Sequence, residues 1–71
     1  MKDEEILKKL REGRVKVTPQ RLAISEVIFS RRDHPTAEQV HEELKKRYPT
    51  ISLATVYQTL HLLSKLGLIQ E

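Results

Sequence analysis

Ser52-Leu53-Ala54-Thr55-Val56-Tyr57-Gln58-Thr59-Leu60-His61-Leu62-Leu63-Ser64-Lys65-Leu66 is the stretch on which the reading of this chain turns. At about 100° per residue, Leu53, Val56, Leu60 and Leu63 fall on one side of a helix. Ala54, Tyr57, Gln58, His61 and Lys65 fall on the opposite side. That second face carries no carboxylate, one small residue that permits close approach, one aromatic ring and several hydrogen-bonding tips. Such a surface suits a negatively charged groove. The same periodicity also fits an ordinary amphipathic surface helix. Ser52 is the expected N-cap, which leaves helix N–H groups beside Ala54 and Thr55 where a phosphate could sit.

Just past the C-terminal end of this stretch, Gly67 is a natural C′ residue. Leu68-Ile69-Gln70-Glu71 then reads as the opening of a strand. A lone strand cannot satisfy its own backbone, so the expectation is a fragment that breaks off at the start of a β wing.

On the N-terminal side, Pro49 ends a third helix. Thr36 caps that helix and Gln39 completes a Thr-x-x-Gln capping box. Ala37, Val40, Leu44 and Tyr48 form its inner stripe, and Glu42 and Lys46 are spaced as an i, i+4 ion pair. Arg31-Arg32-Asp33-His34-Pro35 is a polar break, with Pro35 biasing His34 away from the helical region. A second helix starts at Thr18-Pro19, cap then first helical residue, and runs to about Ser30. Leu22, Ile24, Val27 and Ile28 supply its buried side, with Phe29 at its end. Arg21 lies in its first turn, where a cation opposes the helix dipole and an external anion would compensate. Arg14-Val15-Lys16-Val17 is a basic connector that either straddles phosphates or is simply solvated. Asp3 to Glu12 is a first helix buried through Ile6, Leu7 and Leu10 and ended by Gly13.

Two helices joined by a short Pro-containing turn, with a helix before and a strand after, describe a winged helix-turn-helix. The expected fold is therefore mainly α, four helices and the start of a truncated wing, with residues 1–71 forming one domain. Seventy-one residues support one small core at most. With no cysteine there is neither a disulfide framework nor a thiolate zinc site in this chain. Nothing approaches the ~18 apolar residues of a membrane span, and a cytoplasmic protein is the expectation. The net charge is +3, and residues 13–35 hold all of the excess, five basic side chains against Glu26 and Asp33. That patch fits a polyanion. Three dispersed histidines and no glycine-rich loop leave no nucleophile–base pair or phosphate cradle, which argues against an enzyme.

Val17-Thr18-Pro19-Gln20-Arg21, His34-Pro35-Thr36-Ala37, Ala54-Thr55-Val56-Tyr57 and Leu66-Gly67-Leu68-Ile69, in that order and spacing, resemble the N-terminal DNA-binding domain of the ferric uptake regulator family. The likeness covers residues 5–71. The family comprises metal-dependent bacterial repressors, including iron, zinc and peroxide sensors. The resemblance implies a homodimer in full-length form, reading successive major grooves of a double-stranded operator with residues 52–66, and a monomer for this fragment. Carried over by position, Tyr57 and Gln58 would contact bases, Ser52, Ala54 and Thr55 would lie close to the groove, and Arg21 would meet a phosphate. Lys16 would reach a minor groove or the backbone. His34 matches one ligand of the regulatory metal (Fe, Mn or Zn). One imidazole cannot hold an ion that wants about four to six ligands, so this chain alone is expected to bind none tightly, and the other ligands would lie past Glu71. His41 and His61 read as a solvated helix position and a groove neighbour.

Three departures stand out. Gln58 replaces the Arg usual in iron-responsive members, the segment from Gly13 to Thr18 is one residue longer than is typical, and the dimerisation and metal-sensing domain is absent. The competing reading is a winged-helix module that docks on protein through the same face.

Overall fold

Thr18 opens the central helix as its chemistry requires, with extended backbone and a hydroxyl that accepts the Arg21 N–H at 3.1 Å. Pro19 follows in the first turn, where its missing N–H costs nothing. A computed structural model describes residues 3–69. It contains four helices, α1 (Asp3–Glu12), α2 (Pro19–Ser30), α3 (Ala37–Leu44) and α4 (Leu53–Lys65). α2 packs on each of the other three, and α3 packs on α4. Apolar residues therefore ring much of α2, as in a helix enclosed by neighbours. Ala23, Ile24 and Ser25 are its buried residues, while Leu22, Val27, Ile28 and Phe29 are half-buried.

The interior divides in two. Ala23, Ile24, Ala37, Val40, Leu44, Ile51 and Val56 form one cluster between α2, α3 and α4. Ile6, Leu10 and Leu63 form the other, covered by Val15, Val17, Leu22, Phe29, Leu66 and Leu68. α4 belongs to both. Two buried hydroxyls go back to their own helices: Ser25 donates to the Arg21 carbonyl at 2.9 Å, and Thr59 to that of Thr55 at 2.9 Å. No buried side-chain polar atom among the described residues lacks a partner.

The capping box is complete, with the Thr36 N–H on Gln39 Oε1 at 2.8 Å and the Gln39 N–H on Thr36 Oγ1 at 3.1 Å. α3 is shorter than Pro49 alone suggests. It ends at Leu44, and the amides of Arg47 and Tyr48 both turn back onto the Leu44 carbonyl. Lys46 thus lies beyond the last helical turn, and Glu42 pairs instead with Lys45 at 2.9 Å. That hydrogen bond holds the exposed Glu42 carboxyl below its usual range.

Both C-terminal ends of the second cluster close in the same way. Gly67 is left-handed at φ 75°, its N–H bonds to the Ser64 carbonyl, and the Leu68 N–H bonds to that of Leu63. This is the expected glycine cap, with Leu68 folded onto the cluster that contains Leu63. At α1 the left-handed residue is Arg14, φ 59°, and not Gly13. The Arg14 N–H bonds to the Arg11 carbonyl and that of Val15 to Leu10. Gly13 is small for a different reason: a Cβ there would stand 2.2 Å from Leu66 Cδ2.

Gly13→Ala is accordingly expected to destabilise the domain by about 1–3 kcal/mol through overpacking, whereas Arg14→Gly, which removes a strained left-handed side chain, is not. Urea midpoints of the two variants check this, and equal losses for both would show that the wrong residue has been assigned to each role.

The expected start of a wing is not present among the described residues. Leu68 and Ile69 form a bend, and Gln70 and Glu71 lie outside the described residues. The Leu68 N–H is already committed to the helix cap, so it is not available to a strand ladder.

Candidate nucleic-acid interface

α4 presents the face that its periodicity predicts. Ala54, Tyr57, Gln58, His61 and Lys65 are exposed, and Tyr57 is 50% accessible, the one large hydrophobic exposed among the described residues. Val56, Thr59 and Leu63 are buried on the reverse side. Leu53 and Leu60 are half-buried against the first cluster. Thr59, a polar residue, takes a core position because its hydroxyl bonds one turn back.

Ser52 caps α4 by accepting the Thr55 N–H at 3.0 Å, and the two hydroxyls lie 2.9 Å apart. The Thr55 N–H is therefore satisfied within the protein and is not left open for a phosphate. Neither α2 nor α4 has an acidic residue in its first turn, so no carboxylate offsets the positive end of either dipole. Lys16 and Arg21 are brought together: Arg21 Nη1 donates to the Lys16 carbonyl at 2.8 Å, tying the basic connector to the start of α2. Lys16 is exposed and Arg21 half-buried. Of the other cations in that patch, Arg31 is held by Asp33, with Nε to Oδ1 at 2.9 Å. The same contact pulls the Asp33 carboxyl below its usual range and raises Arg31.

Two residues do more than the sequence indicates. His41 is not merely solvated; it is half-buried, and its Nε2 lies 3.0 Å from the Ile51 carbonyl, bracing the turn between α3 and α4. Glu38, in the first turn of α3, accepts the Tyr57 hydroxyl at 2.6 Å. A face without a carboxylate of its own thus receives one from the neighbouring helix. The bond lowers the Glu38 carboxyl and raises the Tyr57 hydroxyl, so the carboxylate and the neutral phenol are both favoured at neutral pH.

His34 is exposed and left-handed, φ 48°, before Pro35. It has left the right-handed helical region as Pro35 requires, but not for the extended one. With Phe29, Arg31, Leu60, His61 and Leu68 it lines an open groove. Among the described residues no three of His, Cys, Asp or Glu come together to hold a metal ion. The described residues therefore do not by themselves supply the ligand set of the regulatory metal that the resemblance implies.

A sequence model of the ferric uptake regulator family matches residues 12–71, which is most of the chain. The chain belongs to the ferric uptake regulator family. Among curated relatives it is similar to the peroxide-responsive repressor PerR of Staphylococcus epidermidis, 38% identical over 68 residues. That match covers 96% of this chain and 45% of the relative. PerR of Staphylococcus aureus is also 38% identical, with 46% of its length covered. Among solved structures, GAS PerR–Zn–Zn superposes with a TM-score of 0.84 at 35% identity, over 92% of this chain and 41% of that one. PerR from Streptococcus pyogenes gives 0.83, again at 35% identity, with 44% of that chain covered. The chain spans less than half the length of these relatives. The four-helix fold is that of the matching region of PerR, a family member.

Proposed function

We propose that this chain is the DNA-reading domain of a metal- or peroxide-responsive transcriptional repressor that acts in the cytoplasm, with α4 entering the major groove of an operator. The observation that carries this reading is the exposed row Ala54, Tyr57 and Gln58 on a helix anchored at both ends. The likeness to PerR supports it. Tyr57 would lay its ring on thymine methyls, and Gln58 would pair with a base edge, adenine being the base whose groove edge matches an amide. Ala54 would let the helix approach closely, with Ser52 and Thr55 at its entering end. Lys16 and Arg21 would neutralise phosphates and set the register, supplying affinity without sequence information.

The full-length protein would be a homodimer that answers to Fe, Mn or Zn. His34 would then be one ligand, the rest coming from residues elsewhere in the full-length protein.

The test is binding of the 71-residue chain to a duplex that it selects from a randomised library, against a scrambled duplex. Tyr57→Ala is expected to reduce discrimination between them by about 1–3 kcal/mol, the scale of one base contact. Undiminished discrimination would remove Tyr57 from the reading face. One observation favours a second reading, docking on protein: Glu38 places a negative charge beside Tyr57. Amide-shift mapping by NMR separates the two. Random duplex DNA should move Lys16, Arg21 and residues 54–58 under the first and leave them unmoved under the second.

A further inference from the structure

We propose that Glu38 is a positioning residue for sequence reading, fixing the Tyr57 ring so that it meets DNA through its face and edge and not through its hydroxyl. The inference rests on the DNA-reading function given above. An aromatic ring half-exposed on a helix surface ordinarily samples several rotamers. Here the Tyr57 hydroxyl is held at 2.6 Å by a carboxylate nineteen residues away, on a different helix. Such charge-assisted O–H···O⁻ bonds are short and about twice as strong as neutral ones. Glu38 is well placed to be a fixed post. It follows Ala37, which is buried in the first cluster, and it lies in the first turn of a helix secured by the Thr36–Gln39 box. The post and the ring thus stand on two helices packed on one another.

Two consequences follow. Because its proton is engaged, the phenol has no donor to offer a base or a phosphate, and the ring reads by shape and apolar contact. The carboxylate also repels the phosphates of whatever duplex lies against Tyr57, which lowers affinity to the same degree on every sequence. Glu38 therefore trades overall affinity for discrimination.

Substitutions at Glu38 separate these effects. Glu38→Gln keeps an acceptor for the hydroxyl and removes the charge. It should tighten binding to selected and scrambled duplexes alike and leave their affinity ratio unchanged. Glu38→Ala removes charge and acceptor together. Its ratio should fall about 3- to 10-fold, the scale of immobilising one rotamer-rich side chain. Tyr57→Phe, which keeps the ring and loses the hydroxyl, should lower the ratio to the same degree, and adding Glu38→Ala to it should lower it no further. If Glu38→Ala keeps the parental ratio while Tyr57→Ala loses it, positioning by Glu38 is wrong and DNA reading stands. If neither variant alters the ratio, or the parent selects no sequence from the library, the reading itself fails and the inference with it. Far-UV circular dichroism of each variant confirms that helix content is unchanged.

Discussion

Leu63→Ala should lose about 2–5 kcal/mol of folding stability, the cost of emptying a fully buried leucine site that cannot collapse. Leu63 is fully buried, one of three buried residues in the second cluster with Ile6 and Leu10 of α1, and the half-buried Phe29 of α2 packs against that cluster. Its carbonyl also accepts the Leu68 N–H that closes α4. A domain of this length has roughly 4–10 kcal/mol in total, so the variant would be marginal at room temperature. Leu63→Met, which conserves volume, should cost less than about 1.5 kcal/mol. Urea denaturation followed by circular dichroism decides the matter. Midpoints that coincide for parent and Leu63→Ala would mean that the second cluster does not hold the fold together.

The second large effect is on salt dependence. If Lys16 and Arg21 each neutralise a phosphate, replacing both by Ala should reduce the slope of log affinity against log salt by about 1.8, since each contact releases ~0.9 counterion on duplex DNA. The loss should be the same on selected and scrambled duplexes, because phosphates carry no sequence information. Arg21→Ala also releases the Lys16 backbone carbonyl and so loosens the connector, whereas Lys16→Ala leaves that bond in place and removes only the cation. Anisotropy titrations at several salt concentrations measure the slope. An unchanged slope would place the phosphate contacts elsewhere, and a loss confined to the selected duplex would make these residues base readers.

What could be read from the sequence was local. Thr18, Thr36 with Gln39, Ser52 and Gly67 cap their helices as expected because a cap is made within three or four residues of itself. The exposed face of α4 was legible for a similar reason, since helical period alone separates Tyr57 and Gln58 from Val56 and Leu63. What escaped depends on neighbours distant in the chain. Gly13 looks like a cap, but its size answers to Leu66, and the left-handed turn falls on Arg14. Ser25 and Thr59 are polar yet buried, because their hydroxyls bond back along their own helices. Nothing in a single sequence announces that Glu38 reaches Tyr57 or that His41 reaches Ile51. Of the strand start expected over Leu68 to Glu71, Leu68 and Ile69 form a bend and the cap claims the Leu68 amide, while Gln70 and Glu71 lie outside the described residues.

Val56 is rooted in one cluster and Leu63 in the other, so α4 has no loosely held end. Anything that grips its outer surface braces both halves of the interior at once. A ligand bound only to the folded form raises the cost of opening, and here that gain would be shared by α1, which the ligand need never touch. The domain should then resist melting as one body for as long as that surface is occupied.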